Sequence, residues 1–141
     1  MEYKSQFPKS KITSIPVVGH LMLFRYRAKT AEKRVYDKNP LSYIVLNENE
    51  FFYGLNLHYY APSQRMGMVQ MLIEGQESGV QNWETFLFGS RGFHKYLKSE
   101  VASNFLDIAM EEWQSASILP AEEFVRSFRG SEVPVSSRSI W

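Results

Sequence analysis

The sequence predicts an α+β domain: a small, strongly curved antiparallel sheet of three to five strands, with a barrel-like form within its range, from the N-terminal half, packed by helices from the C-terminal half. Three observations carry this. Up to Tyr60 the apolar residues alternate with period two or run as short β-rich blocks. From Pro62 onward their spacing changes to about 3.6, the period of a helix. The chain has 141 residues, which suits one domain burying roughly two thirds of its extended surface. An aromatic content of 15% supplies rings for that core and leaves some for surfaces that associate.

Residues 1–16 mix Lys, Ser and two prolines with isolated apolar side chains, and read as an extended N-terminal arm. Tyr3, Phe7 and Ile12 give that arm something to dock with, along its own domain or on a neighbour. The domain proper spans 17–130. "GHLMLFRYR" (19–27) is a strand buried at its start and leaving the core at its end. "LSYIVL" (41–46) is the next, and "NENE" turns it into "FFYGLNLHYY" (51–60), an antiparallel hairpin. In this last strand Phe51, Tyr53, Leu55, Leu57 and Tyr59 form the core face. Phe52, Gly54, Asn56, His58 and Tyr60 form the other, where Gly54 admits a close neighbour and a contact surface is expected.

A helix starts at Pro62, buries Met66, Val69, Leu72 and Ile73, and stops at Gly75. Residues 74–92 are glycine-bounded and polar around one apolar knot containing Trp83 and Phe86, a short helix capped by Asn82 or a projecting loop. The spacing Phe93, Leu97, Val101, Phe105 predicts another helix with Lys95, Lys98 and Glu100 outward. "DIAMEEWQSASIL" and "LPAEEFVRSFRG" read as two more short helices, the second opening at Pro120 and closing at Gly130. A C-terminal tail, 131–141, ends on Ile140 and Trp141, and a terminal Trp calls for a pocket to fill.

Chemistry is sparse. There is no cysteine, glycine-rich phosphate loop, nucleophile elbow or pair of histidines at helical spacing. His20 and His58 fall on strands that could be neighbours, where a two-histidine metal site is conceivable, but a hydrogen-bonding role for each histidine, His94 included, is the plainer reading. The carboxylate pairs Glu111–Glu112 and Glu122–Glu123 are sequence neighbours that diverge on a helix, which suits solvated faces rather than acid–base couples. A non-enzymatic protein with no cofactor, no metal and no small-molecule substrate is expected. No apolar run approaches a membrane span and no signal-like segment opens the chain, so a soluble, unprocessed protein is expected.

Charge is uneven. Residues 1–38 hold nine Lys/Arg against three acids, 39–90 one against five, and 91–141 six against seven, giving +6, −4 and −1 for a net +1. Arg25, Arg27, Lys29, Lys33, Arg34 and Lys38 form a basic cluster interleaved with Tyr26 and Tyr36, chemically suited to phosphate contact with ring stacking. A solvated loop or an acidic protein partner would use the same residues.

The strings "GHLMLFRYRAK", "YDKNPL", "FFYGLNLHYYAPSQRM" and "YLKSEVASNFLDIAMEEWQSASILPAEEF" resemble, in this order, small structural or structure-associated proteins of large, contractile-tailed bacteriophages. The resemblance spans residues 19–125, is sharpest at Gly54–Tyr59 and Leu119–Phe124, and lapses over 74–92 and after Glu132. It implies a structural component of the virion, in the neck, tail or baseplate, present in several copies in a symmetric assembly. Such a protein would meet other virion proteins through Tyr3, Phe7, Ile12, Trp83, Phe86, Ile140 and Trp141, and would reside in the virion and, during assembly, in the host cytoplasm. Some members of that group carry labels tied to virion completion or to protection of DNA ends. The alternative function, which rests on the basic 25–38 cluster, is a nucleic-acid-binding protein that acts on packaged DNA or its ends.

Overall fold

Short blocks of leucine, β-branched and aromatic residues separated by turns make a sheet whose two faces are both buried. The computed structural model describes residues 7–27, 35–79 and 89–120. Within them the chain order is β1 (Lys11–Thr13), β2 (Leu21–Leu23), α1 (Val35–Lys38), β3 (Leu41–Asn47), β4 (Phe51–Asn56), α2 (Pro62–Ser78), β5 (Phe93–Leu97), β6 (Phe105–Ile108) and α3 (Trp113–Ile118). The strands form one antiparallel sheet in the order β1-β6-β2-β3-β4-β5. The class is α+β, and the sheet stays open, with β1 and β5 as its edges.

Its curvature follows from the rings it encloses. β4 and β6 are three ladder steps apart, about 14 Å on a flat sheet. Yet the rings of Phe52 and Phe105 lie 5.8 Å apart, so the sheet curls around them. The concave side holds Met22, Phe24, Ile44, Phe52, Tyr96 and Phe105, packed mostly edge to face. The convex side carries Leu21, Leu23, Leu41, Tyr43, Leu55 and Leu106 against Val69 and Leu72 of α2 and Trp113 and Ala116 of α3.

The C-terminal half thus contributes two strands as well as helices. The expected helix over Phe93, Leu97, Val101 and Phe105 is instead β5, a single 3₁₀ turn and β6. A spacing of four residues lies on one face of a helix and, being even, also on one face of a strand, so the pattern did not discriminate. α2 runs past Gly75, which is buried inside it, and ends at Gly79, whose left-handed backbone (φ 81°) closes the helix. Its buried side is Arg65, Val69, Leu72 and Gly75, while Met66 is half exposed. β4 stops at Asn56, whose side chain accepts the His58 N–H at 3.0 Å and starts a 3₁₀ turn over Leu57–Tyr59. The expected faces of the hairpin strand are also partly exchanged: Phe52 and His58 are buried, while Phe51 and Tyr53 are only half-buried.

From Phe7 onward the N-terminal segment belongs to this domain. Phe7 is 1% exposed in the convex-side core, which removes it from the partner-facing set. β1 pairs with β6, and Glu112 accepts the Ser10 hydroxyl at 2.6 Å and the Lys9 N–H at 3.0 Å, so this carboxylate is a tie rather than a solvated charge.

Candidate nucleic-acid interface

The chain beyond β2 stays extended because both neighbours continue to hydrogen-bond it. The N–H groups of Phe24 and Tyr26 donate to the carbonyls of Pro40 and Lys38 at 3.3 and 2.9 Å. On the other side the Arg27 N–H donates to the Glu100 carbonyl at 3.0 Å, and the Ala102 N–H to the Arg25 carbonyl at 2.8 Å. Arg25, Arg27 and Lys38 therefore meet at one end of the sheet with the crossover that carries Lys98. Lys98 is anchored there by its N–H to the Glu50 carbonyl at 3.0 Å. Arg27 is exposed, with its guanidinium 3.4 Å from the Ser99 carbonyl. Lys29, Lys33 and Arg34 lie outside the described residues.

Tyr26 is not a free stacking ring. It packs edge to face on Phe24 and Tyr96, its hydroxyl accepts the Leu97 N–H at 2.8 Å, and burial raises its pKa. Its work is to pin the outer edge of β5.

That strand carries the second basic element. In "FHKYL" the residues Phe93, Lys95 and Leu97 share a face by the period of two, and Arg91 precedes the strand in a turn closed by the Phe93 N–H to the Ser90 carbonyl at 3.1 Å. Register sets Phe93 opposite Leu55, Lys95 opposite Tyr53 and Leu97 opposite Phe51. The guanidinium of Arg91 lies 5.5 Å from the Tyr60 ring centre, and Lys95 Nζ lies 4.4 Å from that of Phe51. Between them Phe93 stacks on Tyr53 at 5.2 Å and 13°, and Tyr53 meets Phe51 edge to face at 5.6 Å. The result is a stripe of alternating cations and rings along an edge strand and the turn that leads into it, with Phe51, Tyr53 and Phe93 half-buried and Lys95 exposed. Residues 91–98 contain Arg91, Lys95, Lys98 and His94, and no acid.

Two contacts fix β5 under this stripe. Gly54 lacks the side chain that would collide with Tyr96, and the Tyr96 and Ser42 hydroxyls share a buried hydrogen bond of 2.9 Å. The close neighbour expected at Gly54 is thus the Tyr96 ring. An exposed cation–π contact such as Lys95 on Phe51 is worth about 0.5–1 kcal/mol. A nucleic-acid base stacked on an aromatic ring is worth about 1–3 kcal/mol. The sequence reading missed this element because it placed 93–105 on a helix, although the R-x-F-x-K alternation was there to be read.

The remaining candidates separate. His20 Nδ1 contacts both oxygens of the nearly buried Asp107 at 2.9 and 3.0 Å, at the wall of a cleft of about 410 Å³ that also includes Lys9, Lys11, Gln76 and Trp113. Asp107 and the Glu111 partner of Lys9 offset its cations. His58 Nε2–H donates to the Leu119 carbonyl at 2.9 Å, so the two-histidine metal site does not form. Among the described residues no group of three metal-ligating side chains assembles, and no helix is long and apolar enough to cross a membrane. Ile12, on the edge strand β1, is 38% exposed. Tyr3, Trp83, Phe86, Ile140 and Trp141 lie outside the described residues.

A comparison with protein-family models matches residues 3–141 to the family described as phage T4 terminal DNA protecting protein. No curated protein and no solved structure gives a significant match.

Proposed function

The chain belongs to this phage family, and from that membership we propose that it binds the ends of phage DNA and shields them. Arg25, Arg27, Lys95 and Lys98 contact phosphates, and the β4–β5 rings face the bases. The observation that carries this reading is the pair of cation–ring contacts along β5 and the turn before it, Arg91 on Tyr60 and Lys95 on Phe51, next to the corner where Arg25, Arg27 and Lys98 meet. Such a surface releases counterions on binding a polyanion, and its rings add base contact. Shielding needs no bond to be made or broken, so a non-enzymatic protein suffices. The family description concerns DNA termini, which favours this reading over a structural part of the neck, tail or baseplate. Contacts with other virion proteins, through Ile12 and the terminal segments, would hold the protein in the particle, and during infection it would act in the host cytoplasm.

Fluorescence anisotropy with a short linear duplex tests the proposal. About four phosphate contacts give a log–log salt slope near −3.6, roughly a 150-fold loss of affinity between about 50 and 200 mM salt. Absence of binding at low salt, or binding indifferent to salt, would refute it.

A further inference from the structure

We propose that the stripe formed by Phe51, Tyr53, Phe93 and Lys95 recognises the end itself, by stacking on the terminal, unstacked base face of a DNA chain. This rests on the DNA-end reading above and says how an end is told from the body of a duplex. Every interior base is sandwiched between two neighbours, so a protein ring can reach a base face only at a terminus or an unpaired nucleotide. Phosphates repeat along the whole duplex, and cations alone do not distinguish its end from its middle. Rings do.

The geometry fits that division of labour. Phe51 ends the ring stack, in edge-to-face contact with Tyr53, which in turn lies against Phe93. Lys95 rests on Phe51 at 4.4 Å on a flexible stem, so its ammonium can swing from the ring to a terminal phosphate as a base takes its place. Phe51 pairs with Leu97, and the adjoining Lys98 leads directly into the Arg25–Arg27 corner, so the backbone behind the stacked base meets further cations.

The test compares a relaxed, covalently closed DNA minicircle with the same circle linearised at one site, which differ only in having ends. The wild-type protein is expected to bind the linear form about tenfold more tightly, the worth of one stacked base. The double variant Phe51→Ala/Tyr53→Ala, checked for folding by its unfolding transition, should bring the linear form's affinity down to that of the circle. A second measurement needs no variant: with 2-aminopurine at the terminal position the wild-type protein should change its fluorescence, and with the probe at the centre of the duplex it should not. Equal affinity for circle and line, an end preference that survives the double variant, or a silent terminal probe would overturn this inference while DNA binding stands. Failure to bind either DNA would instead overturn the function proposed above.

Discussion

Replacing Gly54 by alanine should destabilise the protein, although glycine in a strand is normally a weak choice. An added Cβ would lie 3.0 Å from Ser42 Cβ, 3.3 Å from Tyr96 Cε2 and 3.4 Å from the Tyr43 carbonyl oxygen. Two of these atoms move only with β3. The third belongs to a ring stacked on Phe52 at 5.2 Å and hydrogen-bonded to Ser42 at 2.9 Å, so it cannot swing aside cheaply. Overpacking of this kind costs about 1–3 kcal/mol. The loss of unfolded-state freedom on going from Gly to Ala returns about 0.4–1 kcal/mol. The net is about 0.5–2 kcal/mol, or a fall in Tm of about 2–6 °C for a domain of this size. Differential scanning calorimetry measures it, and the same substitution in a Tyr96→Leu background, where the ring is gone, should cost less. An unchanged or raised Tm for Gly54→Ala, or an equal cost in both backgrounds, would show that Gly54 is not there to seat Tyr96.

Phe7→Ala should cost about 3–5 kcal/mol by urea unfolding, as for a core ring; a change within about 0.5 kcal/mol would return Phe7 to a surface arm. Arg25→Gln with Arg27→Gln should flatten the salt slope of DNA binding by about 1.8, one phosphate contact for each arginine, whereas an unchanged slope places these side chains off the DNA. Burial, opposed by the Ser42 hydrogen bond, pushes the Tyr96 hydroxyl far above its usual range. Below a pH of about 10 both states are protonated; above it the unfolded chain ionises first, so stability falls as pH rises, by up to about 1.4 kcal/mol per pH unit. Tyr96→Phe should lessen that alkaline loss; urea midpoints at neutral and alkaline pH decide it.

The hairpin of β3 and β4 was legible in the sequence because alternation, the "NENE" turn and Pro62 all punctuate the same stretch. The strand β5 was not, since Phe93 and Leu97 share a face under either period. Burial on both sides of the sheet blurs the inside–outside pattern that would have identified Phe52 as core. The basic corner was half visible: Arg25 and Arg27 stand out in composition, but Lys98 joins them only through the crossover from β5 to β6. The stripe depends on the register that sets Lys95 opposite Tyr53 and Leu97 opposite Phe51, about 45 residues apart in the chain, and no local pattern encodes such a long-range pairing. The ties of Ser10 to Glu112 and of His20 to Asp107 are hidden for the same reason.

The central claim, that this protein covers DNA termini, is met most directly by digestion of a linear duplex with an exonuclease that requires an end. With the protein bound at low salt, the full-length duplex should persist, and it should be lost once salt is raised enough to release the protein. Digestion at the unprotected rate, while anisotropy shows the duplex fully occupied, would contradict the account.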